Sequence, residues 1–175
     1  MSASPDLASR VRDAALLEGD FVLSSGERSS FYVDKYLFST EPGLLRDVAY
    51  ALADTIPDGV ERLAGVELGA VPLVVAAALS TGLPYVIVRK ADKEYGTGKG
   101  VEGNFEPGER VALIEDVVTT GTQAVKAARR LSEAGAEVVK ISAVLDRREE
   151  FSEYLEEFSF ESLLRMDDLW VGSSN

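Results

Sequence analysis

Glu115 and Asp116 are adjacent carboxylates at the end of the apolar run VALIED, and three residues later the chain reads Thr119-Thr120-Gly121-Thr122 before the amphipathic stretch QAVKAARRL. Three hydroxyls and a glycine opening a helix would present free backbone N–H groups and the positive end of the helix dipole, which suits a phosphate monoester. Gly121 would let the backbone approach that phosphate closely. The acid pair would repel the phosphate and is better suited to accept hydrogen bonds from sugar hydroxyls nearby. One short bend could thus grip a ribose 5-phosphate at both ends. The plainer reading is a capped helix after a core strand, with two solvated acids at the strand's tip. Adjacent acids without a partner are electrostatically costly there, which weighs toward a ligand.

Two further stretches carry cations. Residues 89–105, RKADKEYGTGKGVEGNF, gather Lys90, Lys93 and Lys99 among Gly96, Gly98, Gly100 and Gly103, and so hold half of the chain's six lysines. On a chain of formal net charge −12, a flexible cationic loop is suited to cover a polyanion. The alternative is a surface loop whose lysines pair with Asp92, Glu94 and Glu102. Further on, LDRRE places Arg147 and Arg148 after an apolar run. A planar guanidinium fork matches a carboxylate, although an ion pair with Asp146 or Glu149 would use it equally well.

Composition narrows the chemistry. At 175 residues the chain is expected to form one domain. It has neither cysteine nor histidine, which excludes disulfides, thiolate nucleophiles, Ser-His-Asp and Cys-His catalysis, and metal sites built on imidazole. The acidic balance argues against nucleic acid and anionic membranes as partners. With lysine scarce, it fits either a salt-adapted surface or an ordinary acidic one. No apolar run approaches the ~18 residues of a membrane span, and the N-terminus lacks a signal-peptide core, so a cytoplasmic protein is expected. Neither GxxxxGK[ST] nor a strand followed by GxGxxG is present, so the phosphate bend is not a nucleotide loop of those kinds.

The elements that must position these residues follow from hydrophobic patterning. A helix over about 5–18, two extended segments (FVLSS and SFYVDKYLF) and a helix over about 41–55 capped by Thr40 make up the N-terminal third. Strands are expected at 63–68, 85–89, 110–116 and 137–146. Helices are expected at 71–82, with Pro72 in its first turn and Gly82 past its end, and at about 120–134, stopping at Gly135. Continuously apolar strands alternating with helices indicate an α/β fold: a central, mostly parallel sheet with helices on both faces and a small N-terminal hood. The expected layout is a hood at 1–40, an α/β core at 41–150 and a C-terminal extension at 151–175. In such sheets ligands sit beyond the carboxyl ends of the strands, where all three stretches fall.

The segment 111–131 resembles the signature of type I phosphoribosyltransferases, which bind 5-phosphoribosyl 1-diphosphate. The resemblance runs in order from about Leu16 to Leu169 and is sharpest toward orotate phosphoribosyltransferases, whose Arg-Lys-x-x-Lys segment is matched by Arg89, Lys90 and Lys93. It implies that the sugar diphosphate is held by Arg89, Lys90, Lys93, Tyr95, Glu115, Asp116, Val117, Val118, Thr119, Thr120, Gly121, Thr122 and Gln123, with Lys93 and Asp116 catalytic. VELGAVP (66–72) matches the family's diphosphate loop. Many members have His where this chain has Tyr95, and some have Lys where Ser24 stands. The implied orotate residues are Ser25, Tyr32, Thr119 and Arg147. The resemblance also implies Mg²⁺ held mainly through substrate oxygens, with no dedicated protein ligands, and a homodimer whose loop 89–105 works on the neighbouring subunit's site. Alternatives are transfer to another base, which would leave Arg147 without a carboxylate to bind, or a non-catalytic ligand-sensing regulator of the same fold.

Overall fold

The structure, a computed structural model, describes residues 5–22, 26, 28–90, 100–148 and 153–170. The N-terminal part consists of α1 (Pro5–Ala15), an antiparallel ribbon of β1 (Leu16–Val22) and β2 (Arg28–Val33), and two helices, α2 (Lys35–Ser39) and α3 (Pro42–Ala53). The remainder contributes β3 (Arg62–Val66), α4 (Val71–Thr81), β4 (Tyr85–Val88), β5 (Val101–Glu102), β6 (Arg110–Val118), α5 (Thr122–Glu133) and β7 (Glu137–Asp146). A 3₁₀ turn (Glu153–Glu157), β8 (Phe160–Arg165) and α6 (Met166–Trp170) follow.

Six strands form one sheet in the order β5-β4-β3-β6-β7-β8, and every neighbouring pair is parallel except β4–β5. The period of two along each strand sends alternate residues to opposite faces. Leu63, Ala112, Ile114 and Val144 pack with Val11, Leu52 and Leu73 of α1, α3 and α4. Ala64, Leu113, Ile141 and Ala143 pack with Val125, Ala128 and Leu131 of α5. Because both faces are covered, β6 can be apolar from Val111 to Ile114, and burying each of its large aliphatic side chains contributes about 1.5–3 kcal/mol.

Several boundaries differ from those the sequence suggests, each for a local reason. Helix α1 stops at Ala15 because Leu16 and Leu17 pair with Val33 and Tyr32 in the ribbon. Residues 35–38, expected to be extended, belong to helix α2, whose N-cap Asp34 accepts a hydrogen bond from the Tyr36 N–H at 3.0 Å. Thr40 does not cap α3. Its hydroxyl donates to the Tyr36 carbonyl at 2.6 Å and closes α2. Glu41 caps α3 instead, accepting from the N–H groups of Gly43 at 3.0 Å and Leu44 at 2.5 Å, and these bonds hold its carboxyl below the ordinary range. Strand β3 ends at Val66, ahead of a cis peptide between Glu67 and Leu68. Strand β6 runs on to Val118, and α5 begins only at Thr122. The sixth strand, β8, lies within the segment expected to be a C-terminal extension and pairs in parallel with β7.

Candidate active site

The C-terminal end of β6 carries the acid pair into the protein rather than into solvent: Glu115 is 6% exposed and Asp116 3%. Burial and the neighbouring Asp116 charge push the Glu115 carboxyl up to about 8, so it holds its proton at neutral pH. Asp116 Oδ1 accepts from the Val117 N–H at 2.6 Å. Its Oδ2 lies 2.7 Å from the Lys35 ammonium, yet off the hydrogen-bonding direction, so this buried oxygen lacks a directed donor. The two acids are therefore not a solvated tip. Lys35 comes from α2, and sequence reading assigned it no role.

Facing the pair is the turn 67–70 between β3 and α4. A Cβ at Gly69 would stand 1.5 Å from Asp116 Oδ2 and 3.2 Å from Lys35 Nζ, so only a residue without a side chain fits there. The stretch expected to be a diphosphate loop thus packs directly over the acid expected to bind the sugar.

Beyond Val117 and Val118, which complete β6, the chain turns through exposed Thr119 and Thr120 into α5. Gly121 is the N-cap at φ +83°, with Leu155 2.8 Å from where its Cβ would be. It has no side chain with which to cap the helix, and the Thr122 N–H reaches the Thr120 hydroxyl only at 3.4 Å. Apart from that long contact the helix has no side-chain cap, which leaves its N-terminus open to an outside acceptor. Glycine is required here by the left-handed backbone and by Leu155, in addition to any approach of a phosphate.

Arg89, Lys90 and Gln123 meet along one groove of about 230 Å³, together with Lys126 and Arg130. Glu67 of the 67–70 turn organises its rim: its carboxylate accepts from the Lys90 N–H at 2.7 Å and lies 4.0 Å from Arg89, which also faces Glu102 at 3.5 Å. Lys93 and Tyr95 lie outside the described residues, as does Ser25.

At the end of β7 the two arginines divide their work. Arg148 grips Asp146 through two bonds of 2.9 and 2.7 Å and lies over the Phe160 ring at 4.7 Å. Burial alone would raise the Asp146 carboxyl, but Arg148 outweighs it and holds the group below its ordinary value. Among the described residues this leaves Arg147 without an ion pair, lining a pocket of about 310 Å³. The aromatic wall of that pocket is Phe31, braced edge-on by Trp170 at 5.1 Å. Tyr32 is on the opposite face of β2, 40% exposed, with one side against Phe21 at 5.6 Å. Phe31 has only its place in an aromatic pair to mark it in the sequence, while Tyr32 keeps an open ring face.

A mostly parallel sheet that ends in a buried acid pair and an uncapped hydroxyl turn defines a phosphoribosyltransferase, and the model of the phosphoribosyl transferase domain matches residues 42–160. An orotate phosphoribosyltransferase of Natronomonas pharaonis is 50% identical over 170 residues, 95% of this chain and 97% of that protein. The chain belongs to the orotate phosphoribosyltransferase family. The Mycobacterium tuberculosis H37Rv orotate phosphoribosyltransferase, solved in complex with 5-phospho-alpha-D-ribosyl 1-diphosphate, superposes with a TM-score of 0.77 at 27% identity, covering 95% of this chain and 98% of that one. A Leishmania donovani UMP synthase superposes with a TM-score of 0.80 at 29% identity, over 96% of this chain but 37% of that longer one.

Proposed function

We propose that this protein transfers the phosphoribosyl group of 5-phosphoribosyl 1-diphosphate to N1 of orotate, giving orotidine 5-phosphate and diphosphate, a step of pyrimidine synthesis. The observation that carries the reading is the single bend in which buried Asp116, with an oxygen lacking a directed donor, precedes the uncapped turn Thr119–Gln123. Asp116 and Glu115 accept or share hydrogen bonds with the ribose hydroxyls, and the turn's amides and hydroxyls take the 5-phosphate. The 67–70 turn, Arg89 and Lys90 take the diphosphate, with Lys93 stabilising it as it leaves.

The C1–O bond to diphosphate breaks ahead of full C1–N1 bond formation, so positive charge develops on the sugar and negative charge on the departing group. Catalysis then needs placed charges more than a strong base, which a chain without histidine can supply. Among the described residues no three carboxylates converge on a metal position. In this proposal Mg²⁺ is held chiefly through the substrate's own oxygens, as this ion prefers. When bound there, Mg²⁺ would neutralise charge on the diphosphate. Arg147, freed by the Arg148–Asp146 pair, binds the orotate carboxylate. Phe31, which walls the Arg147 pocket, takes the ring-facing role expected of Tyr32, and Ser25 and Thr119 complete the base site. We place the enzyme in the cytoplasm as a homodimer, with loop 89–105 reaching the partner's site. No helix among the described residues is long and apolar enough to cross a membrane.

The testing experiment measures diphosphate release from 5-phosphoribosyl 1-diphosphate and Mg²⁺ with orotate, uracil, adenine or hypoxanthine. Release with orotate alone is expected, because only that base carries a carboxylate for Arg147. Equal or greater release with an uncharged base would overturn the assignment.

A further inference from the structure

We infer that Lys35 is a positioning residue for the sugar diphosphate: it pins the Asp116 carboxylate against Gly69, offsets the charge of the acid pair, and leaves Asp116 an oxygen for a ribose hydroxyl. The inference rests on the function proposed above.

Three segments distant in sequence converge on this point. Lys35 Nζ lies 2.7 Å from Asp116 Oδ2, and both atoms crowd the place where a Gly69 Cβ would be, at 3.2 and 1.5 Å. No other ion pair of Asp116 occurs among the described residues. Arg89 faces Glu67 and Glu102, and Arg148 holds Asp146, so neither serves Asp116. Without Lys35, the buried Asp116 carboxylate would face a substrate that is itself a polyanion with no cation beside it to offset its charge.

At 2.7 Å the Lys35 ammonium takes one approach to Oδ2, and a carboxylate oxygen has a further acceptor position for a ribose hydroxyl. Lys35 fixes where that oxygen sits without saturating it. Nor is the lysine there for its own helix, since a cation in the first turn opposes the helix dipole. Burial works against its charge, yet Asp116, Tyr36 and Glu115 together hold its pKa above the ordinary lysine value. Because Lys35 stands two residues after β2, it also ties the ribbon that carries Phe31 and Tyr32 to the sugar's acid.

The test compares Lys35→Met, Lys35→Arg, Asp116→Asn and the double variant Lys35→Met/Asp116→Asn by steady-state kinetics with each substrate varied. Lys35→Met is expected to raise KM for 5-phosphoribosyl 1-diphosphate by about tenfold, equivalent to about 1.4 kcal/mol, while KM for orotate stays within about twofold. Lys35→Arg should restore most of the loss, and the double variant should be no worse than Asp116→Asn alone. A folded Lys35→Met enzyme with an unchanged KM for the sugar diphosphate would overturn the inference, as would equal rises in both KM values. If Lys35→Met does not fold, Lys35→Gln repeats the test with a donor but no charge. Wild-type protein that fails to use orotate would overturn the proposed function instead. Calorimetry with 5-phosphoribosyl 1-diphosphate then decides on Lys35: weaker binding by the variant supports the inference, and an unchanged Kd overturns it.

Discussion

Replacing Gly69 by alanine adds one methyl group at the centre of the site. That carbon would begin 1.5 Å from Asp116 Oδ2 and 2.6 Å from its Cγ, far inside contact distance. Asp116 cannot swing away easily, because it is 3% exposed and its other oxygen is tied to the Val117 N–H at 2.6 Å. Either the carboxylate or the 67–70 turn must move by roughly an ångström or more. Overpacking of this kind costs about 1–3 kcal/mol. For a chain of this size that lowers the melting temperature by about 2–12 °C. The effect on function should be larger, since misplacing a substrate-positioning group by about 1 Å costs on the order of a hundredfold. We therefore expect kcat/KM for 5-phosphoribosyl 1-diphosphate to fall about a hundredfold. Gly82→Ala is the matched control: its φ of +75° makes alanine strained, but nothing lies within 4 Å of the added carbon. That variant should lose about 1 kcal/mol of stability and keep its activity per folded molecule. A folded Gly69→Ala enzyme with kcat/KM within about threefold of wild type, well short of the loss expected from displacement, would refute the geometric reasoning.

The adjacent arginines should separate cleanly. Arg147→Met is expected to raise KM for orotate with little change in stability, whereas Arg148→Met strands the buried Asp146 and should cost about 3–5 kcal/mol in denaturant unfolding; matching phenotypes would contradict the division of roles. Glu115 is raised in the folded state to about 8 from an ordinary 4.5, so the folded chain binds the extra proton between those values and stability must decline as pH rises through that window. Glu115→Gln should flatten this part of the wild-type profile, and an unchanged slope in thermal melts at pH 5, 6.5 and 8 would count against a protonated Glu115. Mixing inactive Lys93→Ala and Asp116→Ala subunits should recover activity if the loop serves the partner's site; verified subunit exchange without recovery would count against a site completed in trans.

The alternating core was readable because its signals are local. Pro72 and Gly82 bracket α4, Gly135 follows α5, and the strands β3, β4 and β6 are centred on short apolar runs. The phosphate bend was readable for the same reason, since its acids and hydroxyls are adjacent in the chain. What escaped was either short or tertiary. Helix α2 has five residues, three of them Tyr36, Leu37 and Phe38, which suit a strand as well as a helix, and only Asp34 marks its start. Strand β8 follows an acidic stretch and finds its place by pairing with β7. The contact between Lys35 and Asp116 spans 81 positions, and no spacing rule connects them. The burial of Glu115 and Asp116 was equally hidden, because acids at a strand end read as solvated until the 67–70 turn is seen packed over them. Arg147 and Arg148 looked interchangeable until the structure committed one of them to Asp146.

A crystal structure with 5-phosphoribosyl 1-diphosphate bound tests the central claim most directly. It should show the 5-phosphate seated on the Thr119–Gln123 turn, the ribose hydroxyls on Asp116 and Glu115, and the diphosphate over the 67–70 turn. Ligand density at another position, with the bend from Glu115 to Thr122 empty, would contradict the account.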